Sequence, residues 1–312
     1  MIDFRFFVIS IAAVFLALGL GIMIGSGFLR DIDSRLESRV EDVVEREQDL
    51  RSQILELEDV RDTQREFLEL VQPRVVDGLL FGEQVVMVEI EGTDAELVEG
   101  VSQVIEDADG ITVLELRFNN RLRLDDEQAV GELAATLESI STNPTELRSQ
   151  LGREMGARLS DAAVAPPRLD GNRDRSQMRA RELLAALEED GFISFAGEGI
   201  ADLPQGARFV FATGAATEPT WPAQEVVEPM GFALASETEL GVVVAETSDS
   251  QWGIAEDVRN DAETSDVVST IDNAESVPGR ITVTLGLSLA PETIGHWGDD
   301  ESATAPAPTP PG

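Results

Sequence analysis

Four hydrophobic patterns follow one another along the chain. The first is a run of 24 residues without a charge, Phe6 to Leu29. As a helix it spans about 36 Å, enough to cross a hydrocarbon core of roughly 30 Å. A secretory signal carries a shorter apolar region, about 7 to 15 residues, so the length predicts a retained anchor over 1–30. The small residues Gly25-Ser26-Gly27 keep a cleaved leader open as the alternative. The short N-terminal tail predicts an N-in orientation, with the bulk of the chain outside the cytoplasm. Ala13, Ala17, Gly21 and Gly25 recur every fourth residue and mark a strip on which two membrane helices pack closely.

Residues 31–72 are highly charged, free of Gly and Pro, and ordered in heptads. The a/d series runs Leu36, Val40, Val43, Glu47, Leu50, Ile54, Leu57, Arg61, Gln64, Leu68 and Val71, apolar at eight of eleven positions. That narrow seam predicts a coiled-coil stalk and self-association. Glu47 and Arg61 at a positions cost stability and fix register or strand number. Pro73 is expected to stop the helix. A solvated amphipathic helix folded back on its own domain is the other reading.

From residue 80 the pattern changes to short aliphatic runs between helical stretches. Strands are expected at 85–90, 111–118, 192–195, 208–213, 242–245 and 267–271. Helices are expected at 94–107, 127–140, 145–160, 176–189 and 222–235. Solid aliphatic strands alternating with helices predict an α/β domain over 80–298, its mostly parallel sheet covered by helices on both faces. Residues 162–175 read as a loop that divides two lobes, and 299–312, ending ATAPAPTPPG, as a disordered Pro-rich tail.

Composition narrows the chemistry. Sixty acids stand against 23 basic residues, all Arg, for a formal charge of -37 over 312 residues. Phosphate repels such a surface, so nucleic acid is excluded as a partner. At molar salt the Debye length falls to about 3 Å, and the spread of acids along the chain reads as adaptation to a saline medium. With no Cys and a single His, His296, thiol catalysis, Cys-ligated metals and His clusters are ruled out. Nor is there a phosphate-binding loop, a dinucleotide fingerprint or a Ser-His-Asp arrangement. No enzyme and no cofactor are expected.

The most notable polar cluster, Ser269-Thr270-Ile271-Asp272-Asn273-Ala274-Glu275, leads through Pro278 and Gly279 to Arg280. It sits at a strand end, where open α/β sheets gather ligands. Ser269, Thr270, Asp272, Asn273 and Arg280 are therefore candidates to line a pocket. The rival reading makes Asp272 and Asn273 turn residues, with Ser276 capping the next helix.

The stretch VSTIDNAESVPGRITVTLGL, followed by Gly295-His296-Trp297, resembles the ending of the mycobacterial copper transport protein B (MctB) family. The opening SIAAVFLALGLGIMIGSGFL is similar to that family's N-terminal segment. The resemblance implies an actinobacterial envelope protein, described for its mycobacterial member as an outer-membrane pore in copper removal, with relatives linked to envelope assembly and division. Copper(I) prefers thiolate and thioether ligands, and the six Met form no spaced cluster. A membrane β-barrel needs alternating strands between aromatic girdles, whereas Tyr is absent and aromatics make up 5%. The expectation is an indirect role or a helix-lined oligomeric passage, with the membrane, further copies of the chain and an envelope protein as partners. A non-enzymatic scaffold holding an acidic head on a stalk is the alternative.

Overall fold

The computed structural model describes residues 4–164, 172–196, 206–236 and 240–309; the helical side chains of 4–5, 26–42, 164 and 172–174 are not described. The chain divides into two compact units, Met1–Glu66 and Phe67–Gly312.

The first unit is part of one helix, α1 (Phe4–Val76). Its segment Phe6–Gly25 has a mean hydropathy of 2.7 and buries nothing inside the protein. The small residues Ala13, Ala17 and Gly21 are open to the outside, and a Cβ added to Gly21 or Gly25 would meet no atom within 4 Å. Of the heptad series, Leu36 and Val40 lie outside the described side chains. Val43, Leu50, Ile54 and Leu57 are all exposed. An apolar face is thus present on the helix without a partner from its own unit.

In the second unit α1 does not stop at Pro73 but continues to Val76. Proline in a last turn forfeits a single backbone bond, and Val76 is fully buried. The elements that follow are β1 (Gln84–Ile90), α2 (Ala95–Asp107), β2 (Ile111–Phe118), a 3-10 turn, α3 (Glu127–Thr136), α4 (Pro144–Val164), α5 (Asn172–Glu189), β3 (Ile193–Ala196) and β4 (Arg208–Thr213). Then come α6 (Gln224–Ser236), β5 (Val242–Glu246), α7 (Ile254–Asn260), β6 (Ser269–Ile271), α8 (Val277–Leu289) and β7 (His296–Trp297).

They build one seven-stranded sheet in the order β3-β2-β1-β4-β5-β6-β7, parallel throughout except for β3, which runs antiparallel to β2. This is the strand order of doubly wound sheets, with the order reversing between β1 and β4. Alternation along the strands sends Phe209, Phe211, Val242 and Val244 into a core shared with α3 to α7. Val85, Met87, Val210, Val243 and Ile271 point to the opposite face, covered by α2 and α8.

Two further expectations need correction. The stretch 162–175 does not divide lobes: α4 runs to Val164, α5 begins at Asn172, and residues 165–171 lie outside the described residues. Both helices lean on the same core, within a single unit. α4 meets α6 at very short range because Gly152 and Gly156 present bare backbone; a Cβ on them would fall 2.4 Å from the Val226 carbonyl oxygen and 2.6 Å from that of Met230. Finally, residues 299–309 are not a free tail. Gly298 N donates to the Ala305 carbonyl at 3.1 Å and Thr304 N to that of His296 at 2.8 Å, laying the segment along β7.

Candidate functional site

At the reversal point the loops that follow β1 and β4 are tied to their neighbours. Asp94 N donates to the Gly214 carbonyl at 3.0 Å, and Trp252 Nε1 to the Thr217 carbonyl at 2.9 Å, its ring 3.7 Å from where a Cβ on Gly92 would stand. Gly214 itself, at φ +98, has Ser250 Oγ 2.7 Å from its would-be Cβ, so a larger residue is excluded.

Further along, at the carboxyl ends of β5 and β6, lies a cleft of about 280 Å³. Arg259 of α7 organises its floor. Its Nε donates to Thr270 Oγ1 at 2.7 Å, Nη1 to Asp272 Oδ2 at 2.7 Å and to Ser302 Oγ at 2.8 Å, and Nη2 to the Trp297 carbonyl at 3.0 Å. The Arg259–Asp272 pair is almost out of water, with side chains 4% and 10% exposed. Asp272 Oδ1 also accepts from the backbone N–H of Asp299 at 2.7 Å and of Asp300 at 3.3 Å. The C-terminal segment is therefore pinned to the sheet by one buried ion pair.

Thr270 Oγ1, an acceptor for Arg259 Nε, also lies at hydrogen-bond distance, 3.0 Å, from His296 Nδ1. Burial, and then the charge of Arg259, hold this imidazole below its usual pKa. Opposite, Glu246 closes β5 and caps α7: its Oε1 accepts from Ser250 Oγ at 2.6 Å and Ile254 N at 3.2 Å, its Oε2 from Ala255 N at 2.6 Å. Burial pushes its carboxyl upward, and these donors pull part of the way back.

The polar cluster read from the sequence is split by this geometry. Asp272 lines the cleft. Thr270 lies beneath it through Arg259. Ser269 Oγ accepts from Gly295 N at 3.2 Å, which ties β6 to the approach of β7. Asn273 makes the turn, its carbonyl accepting from Ser276 N at 3.0 Å, while Ser276 Oγ accepts from Gly279 N at 3.0 Å as the cap of α8. Arg280 faces away, its Nε donating to Gln72 of α1 at 3.3 Å and its Nη1 to the Glu275 carbonyl at 2.7 Å. The expected pocket of five residues is thus distributed between a cleft, a turn and the α1–α8 contact. Glycines set the fit: a Cβ on Gly279 would stand 1.9 Å from the Asn273 carbonyl oxygen, and one on Gly298 2.0 Å from Asp272 Oδ1.

A second and larger space, about 510 Å³, lies between α2 and the face of β1 and β2. Glu89 and Glu115 form its floor with Arg117, whose Nε donates to Glu89 Oε1 at 2.5 Å. Burial, and then Glu89 and Glu106, raise the Glu115 pKa. Among the described residues no three His, Asp or Glu side chains converge as a metal's ligand set. The methionines are scattered as well: Met87 under this groove, Met155 and Met230 in the core beneath the other sheet face, Met178 exposed on α5 and Met23 in the apolar segment.

An apolar N-terminal helix joined in sequence to a doubly wound, mostly parallel α/β domain defines a class: a mixed α/β protein with one segment long and apolar enough for a membrane. The sequence model of the family described as "Copper transport outer membrane protein, MctB" matches residues 1–308, and the chain belongs to that family. Relatives named "Copper transporter MctB" share 29% identity in Mycobacterium tuberculosis and Mycobacterium bovis, over 97% of this chain and 98% of theirs. The Mycobacterium leprae relative of that name is 28% identical over 98% of each chain.

Proposed function

We propose that this chain is a single-pass membrane protein of the cell envelope that takes part in copper export, with residues 31 onward outside the cytoplasm. The observation that carries the reading is the end-to-end match to relatives named as copper transporters, apolar helix included. The proposed domains are an anchor over 1–30, a stalk over 31–72 that pairs with further copies through Val43, Leu50, Ile54 and Leu57, and an α/β head. Catalysis is no part of the proposal.

The absence of Cys from the whole sequence and the separation of the methionines favour a specific form of this role. The head does not carry copper(I) on its own side chains, because carboxylates suit hard cations and not a soft one. It acts as a scaffold for an envelope partner. A strain lacking the gene tests the reading when copper sensitivity and cell separation are scored side by side. Sensitivity with normal separation is the expected result. A separation defect with normal copper tolerance would replace copper export by an envelope scaffold.

A further inference from the structure

Among the described residues four buried side-chain oxygens lack a hydrogen-bond partner, and three of them stand at the carboxyl ends of neighbouring strands. Thr213 closes β4, Thr247 follows the last residue of β5, and Asn273 lies just past β6; the atoms are Thr213 Oγ1, Thr247 Oγ1 and Asn273 Oδ1. None of the three residues is more than 4% exposed. β4, β5 and β6 are adjacent and parallel, so all three oxygens belong to the carboxyl rim on which doubly wound sheets take ligands. Buried polar atoms are ordinarily satisfied, and each exception calls for an explanation. Adaptation to salt accounts for exposed acids but not for a buried, uncharged, unpartnered hydroxyl.

Thr247 is the one of the three that lines the cleft, beside Glu256, Asp299 and Asp300. The guanidinium of Arg259 is spent on acceptors inside the protein, so the field that a ligand meets is negative. A metal ion is a poor occupant, because the described acids do not converge in threes. What suits a hydroxyl acceptor among spaced carboxylates is positive charge spread over several N–H donors. We propose that the cleft at the carboxyl ends of β5 and β6 binds an organic cation, a guanidinium or primary ammonium group, with Thr247 Oγ1 accepting one N–H bond and Glu256 and Asp300 balancing the charge. The group arrives either on a free amine or on an arginine of a partner protein.

The test uses the full-length protein in detergent micelles at constant ionic strength. Agmatine and a capped Gly-Arg-Gly peptide are titrated by calorimetry, with Mg²⁺ as the competing probe. Saturable binding of one or both is expected, weakened about tenfold or more by Thr247→Val and by Glu256→Gln, as for the loss of one directed contact. Neither variant should melt earlier, since Thr247→Val removes an orphaned hydroxyl and Glu256 is exposed. Binding of the peptide alone assigns the group to a partner's arginine, and equal binding of both assigns it to a free amine. Failure of both probes to saturate, unchanged affinity in both variants, or displacement by stoichiometric Mg²⁺ overturns the proposal. Should Thr247→Val not fold, Glu256→Gln decides alone.

Discussion

Arg259 joins β6, β7 and the C-terminal segment through four hydrogen-bonding acceptors, and its removal leaves Asp272 charged and out of water. Breaking a buried pair from one side costs about 3–5 kcal/mol. Arg259→Ala is therefore expected to lose about that much in urea unfolding, and Asp272→Asn added to it to recover part, because the stranded charge is gone while an acceptor for Asp299 N remains. His296 gives a pH-dependent counterpart. Its folded pKa lies below the ordinary 6.5, so the unfolded chain takes up the proton first. The contribution is whole above about pH 6.5 and declines as pH falls through that value towards the folded pKa. Compared with His296→Gln, the parent chain should lose more stability between about pH 7.5 and 5.5; parallel pH profiles would contradict the assignment. Asp272 and Asn273 stood out in the sequence within a polar cluster at a strand end, and His296 only as the single histidine. Arg259 and Glu246 were not, since each is one charge in an acidic stretch and acquires its role from partners that only the folded sheet brings near.

The elements themselves were easier to read than their ends. The run at 208–213 coincides with β4, which is buried on both faces beyond its first residue, and the run at 111–118 coincides with β2 although Ile111 and Arg117 are exposed. α7 and β7 escaped notice, being 7 and 2 residues long, too short for either period to repeat. Pro73 misled as a stop signal because the burial of Val76 outweighs one missing bond. The Gly152 and Gly156 pair shows the same four-residue spacing as Gly21 and Gly25, yet it serves the α/β unit, where it lets α4 and α6 touch backbone to backbone. The stalk prediction belongs at this scale. Ile54, exposed on α1, stands at the centre of the proposed seam. Ile54→Asp would bury like charges against one another, and the full-length protein should sediment as a smaller species. An unaltered sedimentation coefficient would remove the stalk as the site of pairing.

For the molecule as a whole, a formal charge of -37 sets the conditions in which the fold persists. Repulsion among exposed acids weakens as the Debye length shortens, so the melting temperature is expected to climb from 0.1 M to about 2 M salt, a trend that a flat series would refute. The proposed place in the cell rests on the anchor together with the head. Neither half gathers three His, Asp or Glu side chains among its described residues, and the proposal places export with the membrane-held chain as a whole. Cellular copper under a copper load tests this most directly, in a deletion strain carrying either the full chain or residues 31–312 behind a cleavable leader. The deletion should accumulate copper, the full chain should return it to the parental amount, and the anchorless form should not. Parental copper content in the deletion strain, or full rescue without the anchor, would contradict the account.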